Sequence, residues 1–336
     1  MDIELNEEQL KRLYEVKDLR EGKLISAKRK DVYDFYINYE INGETTSCWI
    51  ILSDIEKVYY VMNGIKISSK EIKALERLEK FLIKNSSLHK MNIPKNKLLG
   101  REEVLDLLEE SLLKKRMKNT VLLGEAGCGK TNIIEHFAEK IKESYIVLEL
   151  TMSTTIAGTK YRGDFEEKIQ NALNEIIKFN EASTKKIILF IDEIHTIYKA
   201  GGADGAIDAS NILKPYLSRG EITIIGATTV KEYNETIAHD PALVRRLSPI
   251  KIDELDEKAV ISILQDFSEN LVDDYFLKYI YKKSKNIKSY CNPDISIELL
   301  DRCIARCNRV KLRMNTKTID EVINVFEKLN CSVITE

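Results

Sequence analysis

Eight consecutive residues carry the most specific chemical signal in the chain. Gly124 to Thr131 read Gly-Glu-Ala-Gly-Cys-Gly-Lys-Thr, which matches the phosphate-binding pattern G-x-x-x-x-G-K-[ST] between a strand-like and a helix-like run. Its glycines let backbone N–H groups point at an anion, Lys130 reaches the β- and γ-phosphates, and Thr131 holds Mg²⁺. A plain glycine turn before a helix is the alternative. The predicted nucleotide-binding residues are Gly124, Glu125, Ala126, Gly127, Cys128, Gly129, Lys130 and Thr131.

An acidic pair follows a second apolar segment. Ile187 to Ile191 are all apolar, as in a buried central strand of a parallel sheet, and Asp192-Glu193 comes directly after them. Ligands bind at the C-terminal edge of such sheets, so we predict that Asp192 binds Mg²⁺. Glu193 is predicted to polarise the water that attacks the γ-phosphate. A buried strand followed by an acidic helix cap is the alternative, which the phosphate loop disfavours.

Composition limits the classes of function that fit. The chain has 336 residues, which predicts two or three domains, and its 52 basic and 54 acidic side chains nearly balance. This balance gives no bulk electrostatic case for binding nucleic acid or a membrane. The acidic N-terminus has no apolar targeting segment, and no aliphatic run is long enough to span a bilayer, so a cytoplasmic location is predicted.

The six cysteines show no C-x-x-C spacing, so no structural disulfide is expected. Cys303 and Cys307 are four residues apart and could share a helix face. We predict that they form a reduced, half-buried pair and not a metal site, because no histidine is near them in the sequence.

Hydrophobic periodicity divides the chain into four segments. Residues 1–68 read as a small antiparallel β-rich domain, because alternating runs meet at the turn signals Asn42-Gly43 and Asn63-Gly64. Residues 69–95 read as a helix, capped by Ser68 with Glu71, and a linker. Residues 96–250 alternate strands with helices, which predicts an α/β domain around a parallel sheet, and residues 251–336 read as helical.

Individual elements follow from the same periodicity. The predicted parallel strands are Thr120–Leu123, Tyr145–Leu150, Ile187–Ile191 and Ile222–Ile225, and the predicted C-terminal helices are Lys258–Asp266, Ser296–Arg306 and Thr318–Leu329. In the β-rich segment, Tyr33, Tyr39 and Trp49 could form either a recognition surface or a core. Core is the simpler prediction, since alternating aromatic residues usually face inward.

The order of these segments resembles the first ATPase module of the Clp-type AAA+ protein unfoldases. The matching segments are Leu99 to Glu102, the phosphate loop, Ala157 to Glu166, Phe190 to His195, Gly205 to Pro215, Ile225 to Thr229, Asp240 to Arg246 and Pro293 to Asp301. The resemblance implies ATP and Mg²⁺ as ligands and a P-loop AAA+ module, with a three-layer α/β large domain and a helical small domain. It does not reach the β-rich segment.

The resemblance also implies catalytic roles outside the phosphate loop. Thr229 is implied to be the polar sensor near the γ-phosphate, able to hydrogen-bond the attacking water. Arg245 and Arg246 are implied to reach into the neighbouring subunit's site and stabilise charge on the transferring phosphoryl group. Arginines supplied in this way place each complete site between subunits, so the family implies a head-to-tail homo-oligomer that closes into a hexameric ring.

A pore that grips polypeptide is implied as well. The first pore loop would consist of Lys160, Tyr161, Arg162 and Gly163. Tyr161 would project into the central channel and hold an extended chain through its aromatic face, which is indifferent to sequence. The glycine-rich residues 201–205 would form a second, more mobile loop.

Several departures from the family narrow these expectations. The 336 residues contain one phosphate loop, which predicts a single ring, and show no coiled-coil insertion. They contain no Ile-Gly-Phe-like tripeptide, which makes a Clp peptidase partner doubtful. Ile295 stands where the family has a lysine, so any nucleotide contact by that lysine is lost.

The leading hypothesis is an ATP-driven unfoldase or remodeller whose β-rich domain recruits the protein substrate or an adaptor. An AAA+ nucleic-acid motor or loader is the second hypothesis, weakened by the lack of a helix-turn-helix, a basic stripe and net positive charge. A non-catalytic nucleotide switch or assembly factor is the third, disfavoured by Glu193 and the paired arginines.

Overall fold

The chain divides into two compact units. The computed structural model describes residues 23–29, 34–41, 44–51, 58–62, 65–94, 96–115, 117–157, 162–199, 210–287 and 290–334. The first unit is 1–84 with 178–184, and the second is 85–177 with 185–336. Among the described residues, no helix is long and apolar enough to cross a membrane.

The first unit contains an antiparallel meander followed by a helix. Its elements are β1 Lys23–Arg29, β2 Asp34–Ile41, β3 Glu44–Ile51, β4 Val58–Met62, β5 Ile65–Ser68 and α1 Ser69–Lys84. The five strands are hydrogen-bonded in sequence order. The predicted turns at 42–43 and 63–64 lie outside the described residues, as does Tyr33. The backbone register places Trp49 opposite Tyr36 on one side and Tyr59 on the other.

Glu71, the predicted capping partner of Ser68, contacts residues 183 and 184, which belong to the same unit. Its Oε1 accepts hydrogen bonds from Ser183 Oγ at 2.6 Å and from Thr184 N and Oγ1 at 3.0 and 2.7 Å. The side chain is 3% exposed, so these bonds offset the cost of burying a carboxylate.

The second unit is built on a six-stranded sheet. Its strands are β6 Leu88–Lys90, β7 Asn119–Leu123, β8 Tyr145–Leu150, β9 Lys186–Ile191, β10 Thr223–Thr228 and β11 Leu247–Lys251, in the order β11-β7-β10-β9-β8-β6. All neighbours are parallel except β6, which runs antiparallel to β8. The four predicted strands are confirmed and form the centre of the sheet. The two edge strands were not predicted, and β6 lies in the segment interpreted as a linker.

Helices connect these strands. They are α2 Glu102–Leu113, α3 Lys130–Ile141, α4 Met152–Ala157, α5 Arg162–Ala182, α6 Thr196–Lys199, α7 Ser210–Arg219, α8 Val230–Glu235 and α9 Pro241–Val244. Phe137 of α3 and Phe190 of β9 are fully buried in one core cluster. Each such side chain stabilises the fold by about 1.5–3 kcal/mol relative to an exposed position. This core holds the strand ends that carry the predicted site.

Four helices complete the second unit, namely α10 Glu257–Phe267, α11 Asp274–Ser284, α12 Asp294–Val310 and α13 Thr316–Ile334. Asp256 and Asp273 cap α10 and α11 by accepting hydrogen bonds from backbone N–H groups. The three predicted helices are confirmed, and α11 was missed. The prediction of a half-buried cysteine pair was wrong, because Cys303 is fully buried and Cys307 is 8% exposed in α12.

Candidate active site

The phosphate loop connects the end of β7 to the start of α3. Gly127 and Gly129 have φ angles of +82° and +89°, which are in the left-handed region that favours glycine. Gly124 N donates a hydrogen bond to Thr228 O at 3.1 Å, so the first residue of the loop is tied to the end of the adjacent strand β10. The loop therefore lies at the C-terminal edge of the sheet, at the N-terminus of α3, where an anion is favoured.

Lys130 closes the loop on itself. Its Nζ donates hydrogen bonds to the carbonyls of Gly124 and Glu125, at 2.9 and 3.0 Å. These contacts keep the ammonium group over the concave side of the loop, where it faces the space into which the loop's N–H groups would draw phosphate. Cys128 is 1% exposed, and burial raises the pKa of its thiol, so the loop carries no thiolate that would repel an anion at neutral pH.

Helix α12 begins directly against this loop. A Cβ placed on Gly127 would lie 2.8 Å from Asp294 Cβ and 3.3 Å from Cys291 O. The turn before α12 is itself fixed, since Asn292 N and Nδ2 donate to Glu254 Oε1 at 3.0 and 2.8 Å. Only glycine at position 127 allows this approach between the loop and the helical region.

We expect Gly127→Ala to destabilise the protein more than a strained φ angle alone explains. The left-handed φ costs an alanine about 1–2 kcal/mol, and the new methyl group also collides with Asp294 Cβ. Gly220→Ala is the matched control, because Gly220 has φ +66° and a Cβ placed on it would meet nothing within 4 Å. Urea unfolding without nucleotide compares the two variants. Equal losses in the free energy of unfolding would show that α12 does not press on the loop.

The acidic pair lies across β10 from the phosphate loop. Ile187 to Ile191 are all buried, so Asp192 emerges at the edge of the sheet. Thr131 Oγ1 donates to Asp192 Oδ2 at 3.0 Å, and Glu193 N donates to Asp192 Oδ1 at 2.9 Å. Glu193 has φ +48°, an uncommon conformation for a residue with a side chain. The structure therefore brings together Thr131, Asp192 and Glu193.

The Thr131 hydroxyl and the Asp192 carboxylate are suitable ligands for the Mg²⁺ ion that accompanies a bound nucleotide. A hydroxyl and one carboxylate are hard oxygen ligands, and Mg²⁺ is commonly held by one or two such groups together with substrate phosphates. Among the described residues, no group of three His, Cys, Asp or Glu side chains could hold a metal ion without such help. When bound, Mg²⁺ would neutralise charge on the phosphates.

Two threonines at the end of β10 also face this space. Thr229 caps α8, since its Oγ1 accepts from Glu232 N at 3.2 Å and donates to Glu232 Oε2 at 2.9 Å. Its one hydroxyl hydrogen is thus used, which leaves an acceptor lone pair for a water molecule. Thr228 is 2% exposed, and its Oγ1 donates to the same Glu232 oxygen at 3.2 Å.

A cavity of about 530 Å³ joins these groups. Its polar wall includes the phosphate loop from Ala126 to Thr131, together with Asp192, Glu193 and Thr229. Apolar residues from the segment before α2 and from the helical region also line the cavity, beside the polar Arg101 and Asp294, and such an apolar surface suits a nucleoside. The apolar residues are Leu98, Leu99, Leu255, Ile263, Pro293 and Ile297.

Sequence reasoning gave no role to the apolar surface or to Arg101. Arg101 is 7% exposed and donates from Nη2 to Cys128 O at 3.0 Å, which ties the segment before α2 to the phosphate loop. The similarity of Leu99 to Glu102 to a family segment was the one signal available for it. Ile295, in place of a lysine, is 1% exposed in the helical core and does not line the cavity.

Comparisons with known proteins agree with this geometry. The model of the AAA family, the ATPases associated with various cellular activities, matches residues 120–253. The ClpC ATP-binding subunit of the Clp protease from Staphylococcus aureus is 38% identical over 248 residues, which are 69% of this chain and 30% of ClpC. The chaperone ClpB from Aquifex aeolicus is 38% identical over 253 residues, which are 70% of this chain and 25% of ClpB. The chain contains a Clp-type AAA+ ATPase module.

Solved structures show the same similarity. Hsp104 in a closed state with ATPγS and FITC-casein has a TM-score of 0.60 and 30% identity, covering 71% of this chain and 44% of Hsp104. The Saccharomyces cerevisiae Hsp104 complex with ADP has a TM-score of 0.56 and 31% identity, and the match covers 66% of this chain and 33% of the Hsp104 chain. The module is thus that of an ATP-hydrolysing enzyme. The chain spans about a quarter to a third of the length of ClpC and ClpB.

The paired arginines of the Clp-type module lie away from its own nucleotide cavity. Arg245 and Arg246 follow α9 and line a separate cavity together with residues 240–242. Arg246 Nη1 donates to Ala242 O, whereas Arg245 is exposed, and its guanidinium makes no hydrogen bond or ion pair within the described residues. Asp240 fixes the segment, because its carboxylate accepts from Ala242 N at 3.0 Å and lies 2.7 Å from Lys214 Nζ.

The pore-loop residues of the Clp-type module are only partly described. Lys160 and Tyr161 lie outside the described residues, as do 201–205. Arg162 and Gly163 form the start of α5. Helix α4 ends at Ala157, so two of the four predicted loop residues, Arg162 and Gly163, are helical and the other two are not described.

Proposed function

We propose that the chain is a subunit of a ring-shaped Clp-like motor that hydrolyses ATP to unfold, thread or remodel proteins. One observation carries the proposal: the nucleotide cavity contains every predicted catalytic group except the arginines, which lie on another surface with Arg245 exposed. A site that lacks its arginine within one chain fits a neighbour that supplies it. The 38% identity to ClpC and ClpB, over 69% and 70% of this chain, supports the class of motor.

The assembly that follows is a head-to-tail homo-oligomer. The nucleotide cavity and the arginine segment are different surfaces of one module, so the contact is heterologous, and heterologous contacts that close by rotation form rings. We infer a ring of six from the Clp-like class. The 336 residues, with their one phosphate loop, supply one ATPase tier to that ring.

Within each site we assign a role to every residue. The phosphate loop and the ammonium of Lys130 bind the phosphates of ATP, through loop N–H groups other than those of Gly124 and Cys128, which donate to Thr228 O and Glu125 O. Thr131 and Asp192 hold Mg²⁺. Glu193 accepts the proton of the attacking water, and Thr229 orients that water through its remaining lone pair. Arg245 of the adjacent subunit stabilises the charge that develops during transfer.

A protein substrate is the proposed object of the motor. The similar Hsp104 structure was solved with casein, a protein ligand. We propose that Tyr161, within Lys160 to Gly163, grips an extended polypeptide and that the β-rich unit recruits the substrate or an adaptor. Nothing in the described residues favours a nucleic-acid motor over this proposal.

We expect Tyr161→Ala to uncouple hydrolysis from mechanical work. Basal ATP turnover is expected to stay within about twofold of the parent, because the proposed hydrolysis mechanism gives Tyr161 no role, while unfolding of a tagged fluorescent protein is lost. Tyr161→Phe is the matched control, since it keeps the aromatic face and preserves unfolding. Unfolding at the parental rate by Tyr161→Ala would contradict the threading mechanism and favour another class of AAA+ function.

The substrate itself can be captured in a pull-down. Rings of the Glu193→Gln variant, held in the ATP state, would retain the substrate. The same variant without residues 1–84, which keeps strand β6 of the second unit, tests the role of the β-rich unit. Capture of one set of proteins by both forms would show that this unit does not recruit them.

A further inference from the structure

A buried histidine, His195, follows the acidic pair by two residues in the chain. His195 is 5% exposed, and its Nδ1 lies 2.9 Å from Thr228 Oγ1 and 3.2 Å from Glu232 Oε2. With the ring hydrogen on Nδ1, the imidazole donates to Thr228 Oγ1 and faces the Glu232 carboxylate, which only accepts. The imidazole thus bridges the segment after β9, which carries Glu193, to the segment after β10, which carries Thr229.

The same two segments are also joined through their backbone and by packing. Ile194 N donates to Ala227 O at 3.0 Å. The Ile194 side chain lies so close over Gly226 that a Cβ there would come within 2.7 Å of Ile194 Cδ1. Glu193, between Asp192 and this contact, keeps its φ of +48°, a conformation that persists only where the surroundings hold it.

Glu232 connects this contact to Thr229. Its Oε2 accepts from Thr228 Oγ1 and Thr229 Oγ1 and lies 3.2 Å from His195 Nδ1, and α8 begins on this capping interaction. Burial by itself raises the pKa of the Glu232 carboxyl, but the hydrogen bonds from Thr229 and the nearby His195 hold that pKa below its usual range. Glu232 is therefore an ionised acceptor at neutral pH.

We propose that His195 and Glu232 are positioning residues for hydrolysis, which hold Glu193 and Thr229 in a fixed relation around the attacking water. His195 does not line the nucleotide cavity, so it acts only through the residues beside it. The inference rests on the proposed roles of Glu193 and Thr229. It adds two residues whose loss slows turnover, and the loss of His195, which does not line the cavity, is expected to leave nucleotide binding unchanged.

The test compares two substitutions of His195. His195→Leu removes the donor at similar size, and it is expected to lower kcat roughly 10- to 100-fold, as small misplacements of catalytic groups do. His195→Asn supplies an N–H near the position of Nδ1 and is expected to return kcat to within about threefold of the parent. Both should bind the fluorescent analogue mant-ATP with a Kd within about threefold of the parent.

A double variant and a control sharpen this test. Because both residues act through one network, His195→Leu with Glu232→Gln should lose no more activity than the worse single variant. Asp273→Ala removes the cap of α11, away from the cavity, and controls for general destabilisation with parental kcat. The proposal would be overturned if the Leu and Asn variants of His195 had equal kcat, or if the losses in kcat of the two single variants multiplied in the double variant. It would also be overturned if His195→Leu weakened mant-ATP binding as much as it lowered kcat. Parental hydrolysis by Glu193→Gln would instead refute the role of Glu193 on which it rests.

Discussion

Replacing Glu193 with glutamine is expected to lower kcat for ATP hydrolysis by roughly 10²- to 10⁴-fold, the usual contribution of a general base. The amide cannot accept the proton of the attacking water, although it fills the same volume. Binding is expected to persist, because Lys130, Thr131 and Asp192 are unchanged and Glu193 contacts Asp192 only through its backbone N–H. Steady-state phosphate release and mant-ATP titration measure the two quantities separately.

The matched control for this change is Glu139→Gln. Glu139 is also a glutamate of the large domain, but it lies on α3 beside Lys142 and does not line the nucleotide cavity. Its substitution should leave kcat within about twofold of the parent, since surface ion pairs contribute little. Parental turnover by Glu193→Gln would mean that another group activates the water.

The second large effect is expected at Arg245. Arg245→Ala should lower kcat by roughly 10³-fold or more, the range that arginine fingers contribute by stabilising transition-state charge. Arg246→Ala should cost less, because the Arg246 guanidinium already donates to Ala242 O while Arg245 has no such partner within the described residues. Turnover and ring assembly, the latter by light scattering, are measured on both variants. Equal turnover by the two variants would contradict the assignment of Arg245.

The parts of this site that local sequence signals specify were predictable. A glycine-rich loop between an apolar strand and an amphipathic helix predicted β7, the loop and α3, and five apolar residues before Asp192 predicted β9. Each of these signals is continuous in the chain and spans at most roughly twenty residues, so no knowledge of distant contacts was needed. The contact between Thr131 and Asp192 then followed from placing both strands in one parallel sheet.

The edge strands lacked such signals. β6 has three residues, and β11 contains Pro249, which an edge strand tolerates but which argues against a strand when the sequence is read alone. The burial of Cys303 depends on how α10, α11 and α13 surround α12, and sequence spacing does not contain that information.

Contacts between distant residues decided the remaining features. His195, Thr228 and Glu232 meet only because β9 and β10 are adjacent, so no spacing rule links them. Asp294 approaches Gly127 because the helical region packs against the phosphate loop, and no local sequence signal indicates that contact. Likewise, the sequence left Arg245 and Arg246 equivalent, and the bond from Arg246 to Ala242 distinguishes them.

The central claim is that each active site is completed by a neighbouring subunit, and mixing inactive variants tests it most directly. In Glu193→Gln the base is lost but Arg245 is kept, whereas Arg245→Ala keeps the base. Random 1:1 mixing in a head-to-tail ring then creates intact sites at about one quarter of the interfaces. We predict that ATP turnover rises to about that fraction of the parental rate. A mixture of Glu193→Gln with Lys130→Ala, whose lesions both lie in one subunit's cavity, should stay inactive. No recovery in the first mixture, or equal recovery in both, would contradict the account.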